Sequence, residues 1–116
     1  MNWSIDYYKT ESGKIPAYDF INSLPLSMRA KAFKELEMLE ELGTSITMPY
    51  SRHIKDGVFE LRIQFASDIS RVFYFFYAGN NIILTNGFIK KTQKTPPAEI
   101  EKAIKYKADY ERRFSE

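Results

Sequence analysis

The chain has 116 residues, 44% of them hydrophobic and 16% aromatic, which suits one domain with its own core and is too apolar for a disordered segment. With no cysteine and one histidine, it has no disulfide frame, no thiolate nucleophile, no Cys-built zinc site and no two-histidine acid–base pair within one chain. The formal charge of +2 conceals a gradient: residues 1–47 sum to −2, residues 48–95 to +4 and residues 96–116 to 0, so positive charge gathers where the aromatics are densest.

The N-terminus, MNWSIDYYKTESGK, lacks the basic stretch followed by an apolar one that a secretory signal needs. No later run reaches the roughly 18–20 apolar residues of a membrane span. The expectation is a single soluble domain over residues 1–116, located in the cytoplasm. Residues 2–8 alternate and predict a first strand, closed by a turn at 11–14. Pro16 suits the first turn of a helix whose face is Ala17, Phe20, Ile21 and Leu24 and which Pro25 stops. Ser27 is a candidate cap for a longer helix to Leu42, with Met28, Ala32, Phe33, Leu36 and Leu39 as its core stripe and Gly43 as its stop.

Residues 44–55 show no period and contain Pro49, which predicts a loop holding Arg52, His53 and Lys55. VFELRIQF, from Val58, then places Phe59, Leu61, Ile63 and Phe65 on one face of a strand, with Glu60, Arg62 and Gln64 on the other. ISRVFYFFYA predicts a central strand covered on both faces, AGNN a hairpin, and NIILTNGFIKK a further strand. Thr95-Pro96-Pro97 opens a last helix, with Thr95 as cap and Ile100, Ala103 and Ile104 inward. The order β-α-α-β-β-β-α predicts an α+β fold: a small antiparallel sheet with an N-terminal helical hairpin and a C-terminal helix, the helices on one face.

Gly-rich phosphate loops, GxSxG and HExxH are absent, and the Glu-rich stretch of the second helix reads as a solvated face. His53 is the obvious general base by pKa, but no carboxylate is placed to orient it. Arg62 and Arg71 lie in strongly apolar strands, where an unpaired charge is expensive. Either they pair with acids such as Glu60 or Asp68, or they converge on an anion. Lys90, Lys91 and Lys94 stand just before a helix N-terminus, a place suited to phosphate or to a solvated turn. The topology puts all five cations on neighbouring elements. Tyr50 and Tyr74 are candidate base-stacking platforms, Tyr74 with the stronger claim to the core.

The run VFELRIQF…SRVFYFFY…ILTNGFIKKTQKTPPAEIEKAIKY resembles the phage-derived HigB-like branch of the RelE/ParE toxin superfamily. The shared marks are a Glu-Leu-Arg strand, an Arg-initiated aromatic strand, and a strand ending Gly-Phe-x-Lys-Lys-Thr-x-Lys-Thr-Pro before a helix. The resemblance is strong over residues 58–106, and Asn86 stands where many relatives place His. It implies a RelE-like fold and a type II toxin that cleaves mRNA on the ribosome through the RNA 2′-hydroxyl, without metal or other cofactor. It further implies a small helix-turn-helix, HigA-like antitoxin, with operator DNA contacted only through that antitoxin. Arg62, Arg71, Lys90, Lys91 and Lys94 are then the candidate catalytic residues. The rival expectations are a ParE-like inhibitor of DNA gyrase and an inactive RNA-binding module of the same fold.

Overall fold

Residues 3–91 and 94–115 are described in the computed structural model. Asn2 of the predicted first strand, and Thr92 and Gln93 of the lysine-rich run, lie outside them. The elements are β1 (Ser4–Tyr7), α1 (Pro16–Ser23), α2 (Leu26–Leu42), a 3-10 turn (Gly43–Ser45), β2 (Ser51–Lys55), β3 (Val58–Phe65), β4 (Asp68–Tyr77), β5 (Asn81–Ile89) and α3 (Pro97–Phe114). They build an α+β structure around one five-stranded sheet in the order β1-β5-β4-β3-β2.

The predicted order misses one strand. Residues 51–55, expected as loop, form edge strand β2, antiparallel to β3. A two-residue turn makes this hairpin: Asp56 and Gly57 both take positive φ, 51° and 81°, which matches the right-handed twist of the flanking strands. The sheet is also not wholly antiparallel. Strands β2 to β5 form an antiparallel meander, but β1 pairs parallel with β5, from Ser4 opposite Asn81 to Tyr7 opposite Leu84. A parallel pair cannot be closed by a tight turn, and here the α1–α2 hairpin and strands β2 to β4 all lie between the two partners.

The helices are not gathered on one face. α1 and α2 cover the face carrying Leu61, Ile63, Val72, Tyr74, Ile82 and Leu84. α3 lies on the other, where Ala103, Ile100 and Ile104 pack on Val58, Phe73 and Phe88. β4, with Val72 to Phe75 all buried, is therefore covered on both sides, as its apolar run predicts. On α2, Phe33 leaves the expected stripe and is exposed, while Glu35 turns inward. At 100° per residue, position 33 stands well off the line through 28, 32, 36 and 39, whereas 35 stays close to it. The N-caps differ as well: Pro25 caps α2 and Pro96 caps α3, neither with a side-chain bond.

Two contacts tie α3 to the N-terminal strand. The Tyr8 hydroxyl donates to Asp109 at 2.6 Å, and Arg113 donates to the Lys9 carbonyl. Burial, reinforced by Asp109, pushes the Tyr8 phenol up to about 12. On the opposite face α1 presses onto β5 at Gly87, where the Phe20 ring would lie 2.3 Å from any added Cβ. Gly87→Ala is expected to cost about 1–3 kcal/mol and lower Tm by roughly 5–15 °C. Adding Phe20→Leu is expected to return part of that loss in thermal melting, since the smaller side chain relieves the overlap.

Candidate functional site

α3 covers only part of its sheet face. Beyond it the face is open, and the alternation of β2, β3 and β4 brings Arg52, Glu60, Arg62 and Arg71 onto that open area. Arg52 stands opposite Glu60 across the β2–β3 pair, and Arg62 opposite Arg71 across the β3–β4 pair. Lys90 follows the end of β5, its backbone N–H still bonded to the Ile69 carbonyl at 2.9 Å. Together with Met48, Pro49 and Ser51 these residues line a cleft of about 260 Å³.

Glu60 is the centre of the cleft. It is fully buried, and its Oε1 lies 3.3 Å from Arg52 Nε and 3.5 Å from Arg71 Nε. Its Oε2 accepts the Thr95 hydroxyl at 2.8 Å, so Thr95 anchors the segment before α3 instead of capping the helix. A carboxylate this buried persists because charged donors surround it. Both expectations for the arginines are thus met in part: Arg71 pairs with an acid, and the cations also converge. Four cations against one carboxylate leave the cleft at a formal +3.

The excess is visible in the hydrogen bonding. Arg62 and Arg71 each keep a buried Nε–H without a hydrogen-bond acceptor, the Glu60 contact of Arg71 being an ion pair without bonding geometry. Two like charges set directly opposite across a strand pair repel. Burial lowers the pKa of Arg71, with Arg62 and Arg52 adding to the shift against Glu60. Lys90 is lowered too, first by burial and then by Arg71, with smaller contributions from Arg52 and Arg62 opposed by Glu60. Such a site is paid for in stability and is suited to an anion with several oxygens.

The five expected site residues do not all meet. Arg62, Arg71 and Lys90 line the cleft; Lys91 and Lys94 are exposed and, among the described residues, are not part of its lining. Arg52 joins them, missed because its segment was read as loop. Its signal was the Asp56-Gly57 pair, which marks a hairpin and so implies a partner strand for VFEL. His53 alternates to the other side of β2, where it meets the edge of Phe59 and its Nε2 accepts the Gly57 N–H at 3.1 Å. It is a strand residue outside the cleft. Asn86 is buried and donates to the Glu99 carbonyl and carboxylate, both at 3.3 Å, fastening β5 to α3. Tyr74 is core, bonded to the Ser51 hydroxyl, and burial raises its phenol to about 12. Tyr50 is exposed. No group of three His, Asp or Glu side chains suited to a metal ion occurs among the described residues, and none of their helices is long and apolar enough to cross a membrane.

Because the fold disfavours charged Lys90, Lys90→Met is expected to stabilise the protein. The unfolded chain binds the proton more tightly, so the wild-type penalty is complete below the lowered pKa and vanishes as pH rises past the ordinary 10.5. Melting at pH 7 should show a gain of about 1–3 °C that fades toward pH 10.5. Millimolar inorganic phosphate should raise the wild-type Tm more than that of Lys90→Met.

A family model described as phage-derived protein Gp49-like (DUF891) matches residues 19–108, a span that holds every residue of the cleft. Comparison with curated proteins gives no match. The chain belongs to the Gp49-like family of phage-derived proteins, within the RelE/HigB-like toxin–antitoxin superfamily.

Proposed function

We propose that this protein is the toxin of a type II toxin–antitoxin pair, of the HigB-like branch and RelE-like in fold, and that it cleaves mRNA on the ribosome. The observation that carries the reading is the pair of arginines opposite one another, each with a buried unsatisfied Nε–H, in a cleft of formal charge +3. A purely structural Glu60 pair would need one arginine. Further uncompensated cations make sense where an anionic group completes the site.

Cleavage would proceed by attack of the RNA 2′-oxygen on the adjacent phosphorus, its proton passing to water, through a pentavalent phosphorane, with the 5′-oxygen leaving. The products are a 2′,3′-cyclic phosphate and a 5′-hydroxyl. Arg62 and Arg71 suit the equatorial oxygens, where charge grows as the phosphorane forms, and fixed guanidiniums can bear that charge without a metal. Arg52 adds to the same field. Lys90, held below its ordinary pKa, suits proton transfer to the departing 5′-oxygen. Glu60 is a positioning residue that sets the directions of Arg52 and Arg71. Lys91 and Lys94, outside the cleft lining, serve to attract the RNA backbone. The partner that restrains the enzyme is a small helix-turn-helix, HigA-like antitoxin, through which operator DNA is contacted, and the setting is the cytoplasm, where ribosomes are.

The test is mapping of mRNA 5′ ends on programmed ribosomes in the presence of EDTA. Arg62→Ala and Arg71→Ala are each expected to lose on the order of 10²–10³ in rate while circular dichroism reports a folded protein. Lys90→Ala should fall by more than Lys91→Ala or Lys94→Ala. Full cleavage by a folded Arg62→Ala/Arg71→Ala double variant would reject the site. Growth arrest with gyrase inhibition and intact mRNA would favour the ParE-like rival, and RNA binding without cleavage the inactive module.

A further inference from the structure

Next to the cleft, around the edge of β3, lies a second cavity of about 310 Å³. Arg62 and Pro49 line both. On the sheet side it has Gln64, on the α2 side Lys31 and Glu35, and Tyr50 also lines it. Tyr50 is an exposed aromatic, while its carbonyl accepts the Arg62 N–H at 2.8 Å. That bond fixes the backbone of the tyrosine to the backbone of the arginine. Gln64 also serves Arg62: its Oε1 accepts from the guanidinium and its Nε2 donates to the Ala66 carbonyl at 3.3 Å. Lys31 and Glu35 form an ion pair at 3.6 Å.

We infer that this cavity is a nucleobase subsite, in which Tyr50 stacks on the base flanking the phosphate held by Arg62 and Arg71. The inference rests on the ribonucleolytic reading of the cleft and extends it to substrate positioning. Three features point to a base. The cavity adjoins the anion cleft through a shared arginine, as a base adjoins its own phosphate through one sugar. Its lining includes an exposed aromatic ring, on which an unpaired base can stack. Its lining also carries a polar pair, Lys31 and Glu35, whose ammonium and carboxylate can each make a further hydrogen bond to a base edge. Gln64 has both ends of its amide engaged, so it orients Arg62 and leaves stacking as the main contact. Stacking is tolerant of sequence, and the subsite is therefore expected to hold every base, with modest preferences.

The experiment compares wild type, Tyr50→Ala, Tyr50→Phe and, as an exposed aromatic away from both cavities, Phe33→Ala. Two readouts are used: cleavage kinetics on programmed ribosomes, and anisotropy of a short fluorescent oligoribonucleotide made uncleavable by 2′-deoxy substitution. Tyr50→Ala is expected to weaken oligonucleotide binding by about 5- to 150-fold, the usual range for loss of one stacking contact. It should raise KM more than it lowers kcat; Tyr50→Phe, which keeps the ring, should recover most of the binding that Tyr50→Ala loses, and Phe33→Ala should stay within about twofold of wild type, as a surface change without a contact does. Wild-type binding unchanged in Tyr50→Ala overturns the subsite and leaves the cleavage reading standing. Binding that depends on Tyr50 without any cleavage keeps the subsite and removes the nuclease. If the wild type binds no RNA in either format, both fall together.

Discussion

One buried carboxylate organises the open sheet face of this molecule. Glu60 sits at the heart of β3 with no exposed surface, and it is tolerable there only because Arg52, Arg71 and Thr95 reach it from three other segments. Those three contacts join the edge strand, the central strand and the lead-in to α3. Removing one member of a buried charge network costs more than the network itself contributes, because the others are stranded. Glu60 thus links two properties that could have been independent, the integrity of the open sheet face and the direction of its guanidiniums.

The two faces of the sheet divide the work. α1 and α2 cover one face, over a core of mainly aliphatic side chains and Tyr74. α3 covers part of the other, held by Ala103 and its neighbours and by the Tyr8–Asp109 bond. Where α3 ends its coverage, the inward positions of the strands change from Phe73 and Val58 to Arg71, Glu60 and Arg62. The cleft is the area of sheet that a helix could have covered and does not.

Much of this was legible in the residues. β3, β4 and β5 announce themselves through dense β-branched and aromatic runs, and β4 carries the doubly buried pattern of a central strand. β2 was hidden because Ser51–Lys55 is a polar edge strand with one buried position, so periodicity had nothing to report. Arg52 was lost with it. The parallel pairing of β1 could not be read from local pattern at all, since it depends on where the intervening helices and strands deliver the chain. For Arg62 and Arg71 the sequence offered acid pairing or convergence on an anion; the fold pairs Arg71 with Glu60 and sets Arg62, bonded to Gln64, in the same cleft, which is the premise of the proposed anion site. The lysine run was legible as charge but not as geometry: the end of β5 at Ile89 decides that Lys90 reaches the cleft.

The parallel β1–β5 pair has a consequence for the order of assembly. Every charged residue of the cleft lies between positions 52 and 90, in a meander whose strands are joined by tight turns. These short-range contacts close rapidly. β1 cannot find its partner until residue 84 has been made, and its pairing closes a loop of some 77 residues, the slowest kind of contact to form. The β1–β5 pairing is therefore expected to form after the meander that carries the arginines in register.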